Sequence, residues 1–184
     1  TWITCLRVVF GKRNLPADKA LAGETALELT PKLWKYIDWA PRMEYTTPCH
    51  GVLMYTLERM AALASSLGEK YLAEKWTADL EKGRTAARKY LFSEEKGCFR
   101  NDYDKDLYTV HAQVWMILGG VISGAEGKRA LLDALASDEA VKPVTPYMHH
   151  YVMEAMVKLG MMEEALVFMK DYWGSMVEKD ADTF

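Results

Sequence analysis

The way this chain joins its periodic segments constrains its fold more than any other feature. From residue 48 onward, apolar side chains recur at three- and four-residue steps, the spacing of one helical face. Leu53, Leu57, Met60, Ala64 and Leu67 form one set, and Leu72, Trp76, Leu80, Gly83, Ala87 and Leu91 the next. Val110, Val114, Ile117 and Val121 follow, then Leu131, Leu132 and Leu135, then Met148, Val152, Ala155 and Leu159, and last Leu166, Met169, Trp173 and Met176. The spacing predicts helices over 48–67, 69–91, 109–122, 127–137, 146–159 and 161–177. Within successive pairs the connection is tight and carries glycine: Gly68, the stretch from Gly124 to Gly127, and Gly160. Glycine suits the left-handed residue that ends a helix, so each is a stop followed by a restart. Between pairs the loops are long and polar, over 92–108 and 137–145. The expected fold is all-α, built of three consecutive antiparallel helical hairpins.

If such hairpins stack with alternating inner and outer helices, all tight turns fall on one face and all long loops on the other. Two helix starts on the loop face carry matching signals. Thr47-Pro48 and Thr145-Pro146 each offer a hydroxyl as N-cap and a proline at the first helical position. Ala73 and Ala165, each five residues past a turn glycine, are small residues placed where paired helices would approach.

Composition excludes several classes of function. The chain has 184 residues, of which 50% are hydrophobic and 27% charged, enough to bury a core. A formal charge of −3 without any basic block argues against nucleic-acid binding, which depends on neutralising phosphates. The best apolar run, over 114–122, is far short of the ~20 residues that span a bilayer, so no membrane partner is expected. The three cysteines, Cys5, Cys49 and Cys98, are widely separated and form neither a CxxC pair nor a metal-ligand spacing. Neither a metalloprotease HExxH, a nucleophile elbow, a phosphate loop nor a dinucleotide fingerprint is present, so no cofactor or metal is expected. The chain starts without Met and stops without a polar tail, and is expected to be a piece of a longer protein.

The loop face collects the unusual side chains. Asp38 and Trp39 precede the first hairpin, His50 lies in its first turn, His111 opens the third helix, and Tyr147 and His149 open the fifth. Aromatic rings that stack on a C–H face, beside carboxylates and neutral donors that fork hydroxyls, suit a sugar. These six residues are the candidate substrate-binding set. Each also has a plain packing reading: Trp39 could plug the core, and Tyr147 with Tyr151 could be interior. The adjacent pair His149-His150 points to different sides of its helix, so at most one faces a cavity.

Three segments, Tyr36 to Trp39, Thr145 to Met156 and Asp171 to Phe184, together resemble the catalytic domain of bacterial α-L-rhamnosidases of glycoside hydrolase family 78. Tyr36-Ile37-Asp38-Trp39 is similar to an aromatic-rich (F/Y)-I-D-W segment. The run from Thr145 to Met156, with Leu159-Gly160 and Glu164-Ala165-Leu166, is similar to that family's penultimate hairpin. Asp171-Tyr172-Trp173-Gly174-Ser175-Met176, then Asp180-Ala181-Asp182-Thr183-Phe184, resembles its W-x-x-M … G-A-T-T-F-W-E segment, except that Lys179-Asp180-Ala181-Asp182 stands where a glycine is usual.

The resemblance implies an (α/α)6 toroid of which three hairpins are present. Residues 1–47 would be an irregular leading segment, 48–177 the hairpins, and 178–184 a loop toward a missing segment. It also implies an inverting hydrolase for terminal rhamnose, partnered by a rhamnose-containing glycan and by the rest of the parent domain. Inversion uses two carboxyl groups ~6.5–9.5 Å apart, one as acid and one to activate water. In this register both lie outside the chain, so no catalytic residue carries over, while Trp39 matches an aromatic lining the sugar pocket. Two other readings stand beside this one: a different toroid enzyme, such as another glycosidase or a sugar epimerase, and a non-enzymatic helical-repeat scaffold. The unequal spacing of the hairpin starts, near 48, 109 and 146, disfavours the last.

Overall fold

Among the described residues, three helices end on a glycine with positive φ: Gly68 (76°), Gly120 (69°) and Gly160 (72°). At each stop the glycine N–H donates to the carbonyl three residues back, Ser65, Ile117 or Val157. The next N–H reaches five residues back, to Ala64, Met116 or Met156. This double bond pattern satisfies carbonyls left over at a helix end and reverses the chain within a few residues. A computed structural model describes residues 36–103 and 106–182. The leading residues up to 35, with Cys5, residues 104 and 105 of the loop over 92–108, and Thr183-Phe184 lie outside the described residues.

The helices are α1 (Thr46–Ser66), α2 (Lys70–Leu91), α3 (Val110–Leu118), α4 (Gly124–Ala136), α5 (Pro146–Lys158) and α6 (Met162–Met169). The last continues through a π-helical turn, Lys170–Gly174, into the short α7 (Ser175–Val177). Helices α1 and α2, α3 and α4, and α5 and α6 pack in pairs across their tight turns, and α3 also packs against both α1 and α5. The row α1–α3–α5 is thus the inner layer. All nine residues of α3 are buried, from Val110 to Leu118, because this helix is covered by neighbours on every side. Met43, Met54, Met116, Met148, Met156 and Met161 are buried as well, the flexible thioethers filling gaps in the core.

Backbones in the inner layer approach closely where side chains are missing. A Cβ added to Gly51 of α1 would lie 2.6 Å from the carbonyl carbon and oxygen of Trp115 in α3. One added to Gly119 would lie 2.8 Å from the Met54 Cβ and 2.9 Å from the Gly51 oxygen. Arg84 of α2 seals the end of this contact. Its Nε donates to the Gly119 carbonyl at 2.9 Å, and its guanidinium meets Glu58 at 2.6 Å and Glu81 at 2.8 Å. A bidentate pair from Arg88 to Glu126, at 2.9 and 2.6 Å, links α2 to α4 in the outer layer.

Four local expectations change. The third helix stops at Leu118, not 122, because Gly120 takes the left-handed conformation there, and α4 begins at Gly124 itself. Thr47 is not a cap: α1 starts at Thr46, the N-cap position is Tyr45, and the Thr47 hydroxyl is buried without a hydrogen-bond partner among the described residues. Thr145 does cap its helix, accepting from Met148 N, and Thr109 caps α3 the same way through Ala112 N. The long loop over 92–108 contains a small antiparallel ladder, β1 (Phe92–Ser93) with β2 (Cys98–Phe99). Strands of two residues carry no readable alternation; they are held by Phe92 packing edge-on to Phe99 and by Gln113, which bonds both backbone groups of Phe99. Finally, the expected helix over 161–177 is interrupted by the π turn, which the apolar spacing reads straight through.

The close approach of α1 to α3 generates a test. Gly51→Ala is expected to destabilise the fold by about 1–3 kcal/mol through overpacking against backbone that cannot move aside cheaply. Gly174→Ala, where an added Cβ meets nothing within 4 Å, is the matched control and is expected to change stability by less than about 0.5 kcal/mol. Urea unfolding of both variants measures the difference.

Candidate functional site

Asp38 is the most heavily bonded side chain at the loop face. Its carboxylate is buried, with 1% of the residue exposed. One oxygen accepts from His111 Nε2 at 2.8 Å and from the Val144 N–H at 2.8 Å. The other accepts from the Trp39 N–H at 2.8 Å and the Thr145 N–H at 3.2 Å. Burial alone would push this carboxyl up. The four bonds, led by His111, outweigh it and hold Asp38 well below the usual carboxylate range. An anion here also faces the start of α5, where unpaired N–H groups and the helix dipole favour negative charge.

Each partner is placed by its element. The Thr109 cap starts α3 so that His111 falls in the first turn, fully buried, with Nε2 toward Asp38. Its Nδ1 is buried without a hydrogen-bond partner among the described residues. Thr145 and Pro146 start α5, which puts His149 one turn in, where its Nδ1–H donates back to the Thr145 carbonyl at 2.8 Å. Burial, first, lowers the His149 imidazole below its ordinary value, with the Thr145 bond and the Asp38 charge acting the other way. The Tyr172 ring stacks on His149 with centroids 3.5 Å apart and planes 12° apart.

Above this buried layer stands an aromatic rim. Trp39 is 71% exposed and meets the Tyr36 ring edge-on at 5.2 Å; Tyr36 in turn lies 5.7 Å from Tyr147, which is 41% exposed. Trp39 therefore does not plug the core. Asp38, Trp39, His111, Tyr147 and His149 come together from three segments of the chain, the outer two more than a hundred residues apart.

His50 does not join them. It is fully buried, and its Nε2–H donates to the Gly83 carbonyl of α2 at 3.0 Å, so its ring is a bridge between the helices of the first hairpin. A solute could reach it only by opening that packing. His150 takes the other side of α5, exposed and 4.0 Å from Glu154. Cys49 and Cys98 are half-buried cysteines, and burial, chiefly, pushes Cys98 up to about 11, which suits no nucleophile.

The residue pattern alone did not point to the surface that continues the rim. Tyr147 packs on Tyr151 at 5.0 Å, Tyr151 on Trp115 at 4.4 Å, and Trp115 on Tyr55 at 6.1 Å. Tyr151 and Tyr55 open onto a cleft of about 390 Å³ between α1 and α5, lined also by Arg59, Leu63, His150 and Glu154. The Tyr55 hydroxyl donates to Glu154 at 3.1 Å. Positions 147, 151 and 154 share one face of α5 at helical spacing, and that was the available signal.

The geometry defines a class first: packed helical hairpins with an aromatic and hydrogen-bonded cup at the loop ends of the inner helices. Comparison with solved structures then places that class. The chain is similar to a rhamnosidase from Klebsiella oxytoca solved with rhamnose bound, with a TM-score of 0.82 and 27% identity over 91% of this chain and 33% of that one. It is similar in fold to a GH78 family rhamnosidase of Bacillus sp. GL1, with a TM-score of 0.79 and 22% identity over 91% of this chain and 18% of that one. The resemblance to bacterial family-78 rhamnosidases therefore holds at the level of the structure, and the chain corresponds to only part of each protein. No protein-family model matches the sequence, and no curated protein does.

The buried Asp38 predicts an acid-sensitive fold. A carboxyl held below its ordinary value contributes stability above the unfolded pKa, near 3.9, and loses it as the pH falls through that range. Asp38→Asn is expected to cost about 3 kcal/mol at pH 6, since it leaves donors facing an amide. The gap between the two proteins is expected to narrow by about 1 kcal/mol at pH 3, as residue 38 takes up a proton in the unfolded wild type and not in the variant. Denaturant titrations at the two pH values measure both effects.

Proposed function

We propose that the chain is the C-terminal part of the catalytic domain of an inverting α-L-rhamnosidase, and that the rim of Trp39, Tyr36 and Tyr147 receives a terminal rhamnose. The observation that carries this reading is the convergence of Trp39 and Tyr147 over the Asp38–His111 pair. An exposed indole and phenol stand over a backbone that is fixed by a buried carboxylate. A deoxyhexose offers a methyl and a C–H face to such rings, and hydroxyls to the polar groups between them.

The similarity to a rhamnosidase crystallised with rhamnose supports the choice of sugar. Three hairpins of an (α/α)6 ring account for the helices seen, and the flanks support a continuing ring. Leu63, Leu67 and Tyr71 at the α1–α2 end and Val157, Met162, Leu166 and Val167 at the α5–α6 end are exposed apolar side chains. In the parent they would pack on the remaining hairpins. The acid and base carboxylates belong to those parts of the parent, so Asp38, held ionised by four donors, serves to order the site and not to transfer a proton.

Two measurements test the reading. Titration of the chain with L-rhamnose is expected to change tryptophan emission, and Trp39→Ala is expected to weaken binding at least about tenfold, as loss of a stacking ring does. The parent protein is expected to hydrolyse an aryl α-L-rhamnoside with inversion. Absence of turnover by a folded parent, or a preference for an aryl glucoside, would replace this reading with another toroid enzyme.

A further inference from the structure

The connector into α5 is held from two sides. On one side Asp38 accepts from the N–H groups of Val144 and Thr145. On the other, the Tyr172 hydroxyl donates to the Val144 carbonyl at 3.3 Å, so both backbone polar groups of Val144 are engaged by side chains. The same tyrosine covers His149, whose Nδ1–H holds the Thr145 carbonyl. Phe168 also stacks with His149 at 5.4 Å, and Trp173 meets Tyr172 edge-on at 4.9 Å. Tyr147, two residues past Thr145, then carries the ring that faces Tyr36 and Trp39.

What delivers Tyr172 to this place is the π turn. Lys170–Gly174 follows directly on the regular α6 and contains the tyrosine. One extra residue per turn rotates everything after it around the helix axis relative to an uninterrupted α-helix. Such turns are rare, and recur near functional sites.

We propose that Tyr172 is a positioning residue for the sugar rim: its hydroxyl on Val144 and its ring on His149 set the first turn of α5, and so the distance between Tyr147 and the Trp39 lip. It touches the connector and not the ligand. The identity of the ligand rests on the rhamnose reading above; the positioning itself does not.

The test uses the 184-residue chain with Tyr172→Phe, which removes the hydroxyl and keeps the ring, and Tyr172→Leu, which removes both. Tyr71→Leu, at an exposed tyrosine of α2, is the control. Affinity for L-rhamnose is expected to fall about threefold in Y172F and tenfold or more in Y172L, and to stay unchanged in Y71L. The His149 Hε1 proton resonance, shifted by the stacked ring, is expected to survive in Y172F and to move in Y172L. Amide exchange at Val144 and Thr145 is expected to rise about tenfold in Y172L while the helical circular dichroism is retained.

Unchanged exchange at Val144 and Thr145 together with an unmoved His149 resonance in Y172L would overturn the proposal, whatever the affinity does. If wild type shows no response to L-rhamnose, the rhamnose reading fails, and the exchange and resonance comparison still decides whether Tyr172 positions the connector.

Discussion

A single carboxylate ties the loop face together. Asp38 is removed from water and compensated by four donors, three of them backbone N–H groups and one an imidazole. A buried charge of this kind is tolerated only when its partners are in place, which makes the arrangement all-or-none. Segments far apart in sequence are therefore brought to one geometry: the stretch carrying Trp39, the start of α3, and the connector into α5. The rim has its shape because the layer beneath it cannot be partly formed.

The helical layers make that layer possible. Gly51 and Gly119 let α1 and α3 touch backbone to backbone, which brings the N-terminal ends of the inner helices close together. Asn101 completes the assembly from below. Its side chain bonds the Glu44 carbonyl and the Thr109 hydroxyl, and its backbone meets Thr47 and Leu107. The loop over 92–108 thus acts, through Asn101, as a buttress between the leading segment and the starts of α1 and α3.

The helices and their pairing were legible because they rest on apolar period and on glycine stops, both local. Gly68 and Gly160 stop their helices as expected. The middle turn was misplaced because Gly119, Gly120, Gly124 and Gly127 are equivalent on composition, and only the packing of Arg84 and of α1 distinguishes them. Asp38, Trp39, His111, Tyr147 and His149 were legible as neighbours from their common place on the loop face. His50 was not separable from them, since its place in a first turn says nothing of which way its ring faces, and here Gly83 offers a carbonyl across the hairpin. The bond between Asp38 and Val144 spans 106 positions, and no local rule reports it. The cleft beside Tyr55 and Glu154 was illegible for the same reason: it exists only where α1 and α5 flank α3.

The π turn has a consequence for how such a surface can change. A side chain placed by one inserted residue depends on chain length more than on residue identity. Removing Lys170 or Asp171, the two residues of the turn that precede Tyr172, would swing Tyr172 and Trp173 around the helix axis, away from Val144 and His149, with little loss of helical structure. Single-codon deletions and insertions in this short stretch, not point substitutions, are then the steps by which related chains could most readily reshape the mouth of the cup.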